Sequence, residues 1–230
     1  MGKKKSLLIT ASLFGSVKWL KDCPPSWQEK AYDDLKGMLA RDRPWEPSEE
    51  IKRGMDFEKT IQRIIEKANR DELNLSENFN KVLDEFSPKG RFQVVTKSFM
   101  DIADDNYCLY GKIDYIHREE NVIKDIKATG SIPRKSFDDK FLNTLQHKIY
   151  CHNEKINNFR YVVAYFKDYK DDNNNKVVVK PIHEVIYVDY RVDDFEKQAE
   201  EIREAIGGLM QFFDQYPELK NLYLTTFSRY

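Results

Sequence analysis

The stretch from Tyr107 to Ala128 constrains this chain more than any other. Two runs rich in β-branched and aromatic residues, Tyr107 to His117 and Val122 to Ala128, are separated only by the polar Arg118-Glu119-Glu120-Asn121. So short a break between strand-like runs predicts an antiparallel hairpin. A turn centred between Glu119 and Glu120 would set Asp114 opposite Asp125. Their Cβ atoms would then lie about 4.5–5.5 Å apart on one face, where two like charges repel unless something positive lies between them. Lys127, two residues beyond Asp125, points to that same face.

The rest of the chain alternates between helical and strand periodicity. Leu7 to Lys21 and Trp27 to Arg41 read as two helices on either side of Cys23-Pro24-Pro25, and Arg43 to Ser48 as a proline-bounded loop. Ser48 with Glu49 and Glu50 opens a long helix whose apolar stripe is Phe57, Ile61, Ile64, Ile65 and Ala68. Phe92 to Met100 is a strand ahead of the hairpin. After Pro133, the four-residue step Phe137, Phe141, Leu145, Ile149 predicts one helix to about His152. Phe159 to Phe166 and Val177 to Tyr190 form strands around a polar turn, and Asp193 with Glu196 resembles a capping box that opens a last helix ending near Gln211 to Pro217. The expected fold is a single mixed α/β domain over 1–230: a helical segment over 1–47, a core over 48–190, and a C-terminal helix and tail over 191–230.

Composition narrows the function classes. With 40% hydrophobic and 33% charged residues and no apolar run of about 18, the chain reads as a globular, cytoplasmic protein rather than a membrane or disordered one. The net charge of −1 excludes a uniformly basic coat but says nothing about local patches. Cys23, Cys108 and Cys151 are odd in number and widely spaced, which fits reduced thiols. Met1-Gly2-Lys3-Lys4-Lys5-Ser6 matches the myristoylation pattern only as a short, freely recurring string.

Two carboxylates and an ammonium on one side of a hairpin suit phosphodiester hydrolysis with a divalent metal. Carboxylate oxygens are hard ligands for Mg²⁺ or Mn²⁺, and a lysine can orient the attacking water or steady negative charge. On the long helix, Glu58 lies at the edge of the apolar stripe, where a carboxylate can reach over the sheet. Gln146 and Tyr150, one turn apart on the later helix, present an amide and a phenol together. Arg134 and Lys135 lie between hairpin and helix, suited to phosphate contacts or to a solvated turn.

The ordered set Gly54 with Glu58, Gly111-Lys112-Ile113-Asp114, Asp125-Ile126-Lys127, and Gln146-x-x-x-Tyr150 resembles the RecB-like branch of the PD-(D/E)xK nuclease superfamily, including phage-type recombination exonucleases. The resemblance spans about residues 48 to 190, and Ser12 with Cys23-Pro24 is similar to the helical leading segment of some members. It implies a restriction-endonuclease-like core, a mixed sheet of about four to five strands flanked by helices, and cleavage that leaves 5′-phosphates in DNA recombination or repair. By the same resemblance Asp114, Asp125, the main-chain carbonyl of Ile126 and Glu58 hold one or two Mg²⁺ or Mn²⁺ ions. Lys127 attends the attacking water, and Gln146 and Tyr150 organise the site and contact the nucleic-acid backbone. DNA is the implied partner, with a single-strand annealing or recombination protein and a homo-oligomer as further associations.

Ile113 replaces the proline of the family name, and three unclustered cysteines argue against the iron–sulfur cluster that some relatives carry. His147 and Cys151, four apart, lack the further ligands of a structural zinc. Two other readings fit the same residues: a catalytically inactive nucleic-acid-binding module of this fold, and a restriction-type endonuclease.

Overall fold

A computed structural model of the chain describes residues 6–41, 47–67, 72–130, 136–170, 176–178 and 182–228. The Met1 to Lys5 start, most of the Arg43 to Ser48 connection, and the Pro133 to Lys135 stretch lie outside them.

The described residues begin with a strand, not a helix. β1 (Ser6–Thr10) pairs in parallel with residues 106–110, and α1 (Ala11–Asp22) starts only after it. Thr10 caps that helix by accepting from the Leu13 amide at 3.2 Å. Leu7-Leu8-Ile9 is too short for its periodicity to separate helix from strand, and a partner a hundred residues away decides it. A 3₁₀ turn (Pro25–Trp27) leads to α2 (Gln28–Ala40), and α3 (Glu49–Lys67) follows. α4 (Glu77–Leu83), absent from the sequence reading, is capped by the Ser76 hydroxyl.

β2 (Arg91–Ile102), β3 (Asp105–His117) and β4 (Val122–Thr129) form the antiparallel core of the sheet. The expected single helix after Pro133 is broken in two, α5 (Phe137–Leu142) and α6 (Gln146–Glu154). The Thr144 hydroxyl donates to the Phe141 carbonyl at 2.8 Å, closing α5 where the step of four would have carried it onward. β5 (Asn158–Tyr165) pairs in parallel with β4, and β8 (Glu184–Arg191) runs antiparallel to β5. Between them β6 (Asp168–Lys170) and β7 (Lys176–Val178) make a separate small hairpin, so the long strand expected from Val177 to Tyr190 is two elements. α7 (Phe195–Gln215) is capped by Asp194 rather than Asp193, and α8 (Pro217–Thr226) follows it.

The result is a mixed sheet of six strands in the order β1-β3-β4-β5-β8, with β2 on the other edge of β3. The added strand beyond the four to five expected is β1. One face, including Tyr161 of β5, packs on Leu13, Leu35, Ile149, Ile206 and Phe213 from α1, α2, α6 and α7. The other is covered by α3 and α4 through Phe57, Ile61, Val82 and Leu83 against Tyr115, Ile126 and Val162. Parallel strands with helices on both faces bury continuous apolar runs, which is why β5 has no solvent-facing residue from Tyr161 onward. Glu85 ties the α3–α4 layer to the sheet, with its carboxylate 2.9 Å from the Lys124 ammonium and 3.1 Å from the Arg160 guanidinium. Among the described residues no helix is long and apolar enough to cross a membrane.

Candidate active site

β3 changes partner along one edge. Its first half pairs with β1 as far as Tyr110, and its last three residues, from Tyr115, pair with β4. Gly111 to Ile113 therefore pair with β2 alone and Asp114 with neither neighbour, and the candidate site is assembled in that gap.

The hairpin register is Tyr115 opposite Lys124, Ile116 opposite Ile123 and His117 opposite Val122. This is the alignment a turn between Glu119 and Glu120 gives, and it carries Asp114 up to Asp125. The ladder stops there because the Asp114 carboxylate, at 3.0 Å, takes the Ile126 amide that a backbone carbonyl would otherwise accept. Asp125 is 1% exposed. The Gln146 amide donates to its Oδ1 at 2.5 Å, and Lys127 Nζ lies 2.5 Å from its Oδ2. That second oxygen has the lysine as ion-pair partner but no well-aligned hydrogen bond, so a buried carboxylate keeps lone pairs to spare.

Glu58 enters from the opposite layer, on α3. Burial, and then the Asp114 carboxylate, push its carboxyl up to about 7 against the pull of Lys127 and Lys112. Asp125 is likewise pushed up, to about 8, by burial, with Lys127 opposing and Asp114 adding to the rise. Burial by itself would depress Lys127, yet Asp125 and Asp114 hold its ammonium above the usual lysine range. Of this pair the lysine is the group that keeps its proton, because acids stand on two sides of it.

Tyr150 reaches over Gly111 to donate to the Lys112 carbonyl at 3.0 Å. Burial, with the negative charges of Asp125 and Asp114, pushes the phenol up to about 12, so it remains a donor. The contact explains Gly111: a Cβ there would lie 2.1 Å from the Tyr150 ring. Gly111→Ala is expected to destabilise the protein by about 1–3 kcal/mol through overpacking, read as a lower urea midpoint. In a Tyr150→Ala background the same glycine substitution should cost little further stability, and an unchanged midpoint in Gly111→Ala would contradict the packing.

Tyr161 is a support that nothing in its sequence neighbourhood marks. It stands beside Asp125 in the β4–β5 register, and its hydroxyl is 3.2 Å from both Thr144 Oγ1 and His147 Nδ1. That phenol fixes the break between α5 and α6, and so the first residue of α6, Gln146. A cavity of about 410 Å³ opens beside Lys127, Gln146 and Tyr150 and runs along Ser12, Phe14 and Lys18 of α1. A larger cavity, about 500 Å³, lies at the other end of β4 between Lys124, Arg160 and Asp189. Its charges already pair with one another, Arg160 with Asp189 at 2.6 Å and both cations with Glu85.

Asp114, Asp125, Lys127, Gln146 and Tyr150 are thus linked by direct contacts within the gap, and Glu58 faces them within the field of Asp114 and Lys127. Arg134 and Lys135 lie outside the described residues. Asp114, Asp125, Glu58 and the Ile126 carbonyl are oxygen donors of the kind a hard divalent cation takes. The acids crowd one another electrostatically, and among the described residues no three His, Cys, Asp or Glu side chains are grouped around a single point. His147 is buried among Phe159, Tyr161 and Tyr190, not in a metal cluster.

No family model and no curated protein matches the chain. Among solved structures it is similar to a phage-related exonuclease from Haemophilus somnus 129PT, 12% identical over 91% of this chain and 95% of that one, with a TM-score of 0.48. SSO0001 is 14% identical over 88% of this chain and 77% of that one, at a TM-score of 0.46. LHK-Exo, solved with dAMP, is 14% identical over 94% of each chain, at 0.32.

Proposed function

We propose that the protein is a divalent-metal-dependent deoxyribonuclease, an exonuclease that leaves 5′-phosphates in DNA recombination or repair. One observation carries the reading. Asp125, buried and gripped by an amide at one oxygen and an ammonium at the other, stands one strand from Asp114, whose charge acts on both Asp125 and Glu58. Carboxylates raised in pKa by burial and by each other are costly to keep, and such groups cluster where chemistry needs them. The mixed sheet, with its acids on adjoining strands and the Gln146–Tyr150 helix above, supports a restriction-endonuclease-like core.

Asp114, Asp125 and the Ile126 carbonyl, with Glu58 from the facing layer, would hold Mg²⁺ or Mn²⁺. Once bound, the ion polarises the phosphoryl oxygen and lowers the pKa of a water. The chain's own contribution is positioning and charge. Lys127, held charged, orients the attacking water and offsets negative charge at the phosphate; it is not a base. Gln146 fixes the rotamer of Asp125, and Tyr150 fixes the backbone of Lys112 two residues before Asp114. Arg134 and Lys135 would contact phosphates.

The test is degradation of linear and closed circular DNA, each strand end-labelled separately, with Mg²⁺, Mn²⁺ or chelator. Linear DNA should disappear from an end only with metal, and the closed circle should survive. Cutting of the circle would replace exonuclease with endonuclease. DNA binding with no cleavage under either metal would leave a binding module.

A further inference from the structure

Five described residues other than glycine adopt a positive φ. Four have ordinary reasons. Arg41 and Lys155 are left-handed C-caps of α2 and α6. Ala103 and Asn121 lie in the turns that join β2 to β3 and β3 to β4. The fifth, Gln93, has φ 54° inside β2, where a left-handed residue is a genuine outlier.

Gln93 stands across from Asp114. β2 and β3 keep one alignment on both sides of it, with Phe92 opposite Tyr115 and Val94 opposite Ile113, and the pairing skips only Gln93 and Asp114. No residue has been inserted, so this is not a bulge with an extra residue. On its other side Asp114 has left the β4 ladder, its carboxylate on the Ile126 amide. Because that amide points at β3, the alternation of an antiparallel pair turns Asp114's own N–H and C=O toward Gln93. A carboxylate in a regular strand stands off the face of the sheet, whereas this one reaches sideways to a neighbouring strand's amide. The peptide that carries it must tilt, and the one residue that could hold it flat is the one out of β geometry.

We infer that Gln93 is a positioning residue: its left-handed backbone releases the Asp114 peptide from the sheet, so that the Asp114 carboxylate reaches the Ile126 amide and faces the candidate metal site. The backbone does this and the amide side chain does not. The inference rests on the proposed role of Asp114, while its test reads the geometry directly. The alternative is an edge strand disrupted merely to discourage pairing with other chains.

Gln93→Gly, →Asn, →Ala and →Val separate the two. Glycine and asparagine accept a positive φ, alanine tolerates it about as glutamine does, and valine resists it and favours a regular strand. Three quantities are measured on each variant: hydrogen exchange at the Ile126 amide, Mn²⁺ binding by electron paramagnetic resonance, and cleavage of linear DNA. Glycine, asparagine and alanine variants should match wild type within about twofold in all three. Valine should weaken Mn²⁺ binding and cleavage by about tenfold or more and change Ile126 exchange, with the urea midpoint unchanged or raised because strain is relieved. Loss of binding in the alanine variant would assign the effect to the side chain and overturn the inference, as would a folded valine variant with wild-type binding and exchange. If valine prevents folding, impaired Mn²⁺ binding in the glycine or asparagine variant overturns it, and wild-type behaviour in both, with wild-type alanine, upholds it. A wild-type protein that binds Mn²⁺ without cutting DNA would defeat the nuclease reading while leaving the Gln93 comparison intact.

Discussion

Asp125→Ala and Lys127→Ala are each expected to lower metal-dependent DNA cleavage by about 10³-fold or more while the chain stays folded. Asp125 has the most to lose because three groups converge on it: Gln146 at one oxygen, Lys127 at the other, and Asp114 one strand away. Its removal takes away a candidate metal donor and the acid that keeps Lys127 in place. The fold should tolerate the change, since a buried carboxylate whose pKa is raised by desolvation is a burden on the native state at neutral pH. Asp125→Asn keeps the shape and an acceptor for Gln146, so its stability should stay within about 1 kcal/mol of wild type with cleavage still lost. Lys127→Arg should not restore activity, because a planar fork cannot take the place of a compact ammonium 2.5 Å from one oxygen. Cleavage that survives in Asp125→Ala or in Lys127→Ala would remove that residue from the mechanism. The urea midpoint, measured beside the rate, separates lost chemistry from lost structure.

The second large effect is on stability, at His147. The ring is completely buried, with Nδ1 3.2 Å from the Tyr161 hydroxyl and Nε2 without a hydrogen-bond partner. Burial, helped by the Lys148 charge, pushes its pKa down to about 3. The folded protein therefore refuses a proton that the unfolded chain accepts below about 6.5. The stability this gives is present above pH 6.5 and is lost as pH falls toward 3. Between pH 7 and pH 5 the loss is about 2 kcal/mol, at 1.36 kcal/mol per unit. Glu58 and Asp125, with raised pKa values, act in the opposite direction over part of that range, so wild type alone does not isolate the histidine. The measurement is the difference between wild type and His147→Phe in urea unfolding at pH 7 and pH 5. Wild type should lose about 2 kcal/mol more than the variant on acidification. Parallel pH dependences would show that the imidazole is not held neutral.

The hairpin and its acids were legible because they are local. Eleven positions separate Asp114 from Asp125, the turn between them is polar and short, and the period of two fixes which residues share a face. The apolar stripe of α3, with Glu58 on its flank, was readable for the same reason: helical periodicity is internal to the segment. Where reading failed, something distant outweighed the local signal. Leu7 to Ile9 became a strand because β3 offered it an edge. The step of four from Phe137 to Ile149 looked continuous, but Thr144 turns back on Phe141 and is tied to Tyr161 across the core. Nothing in the sequence marks Gln93, since a glutamine in a strand carries no sign of a left-handed backbone.

The sequence alone determined which residue types stand near one another along the chain: two acids and a lysine along one hairpin, an amide and a phenol on one turn of helix. Tertiary structure decided how they meet. Parallel pairing of β4 with β5, the switch of β3 from β1 to β4, and the break before Gln146 each depend on contacts between segments far apart in sequence. Local propensity does not encode such contacts, because their free energy appears only when both segments are in place.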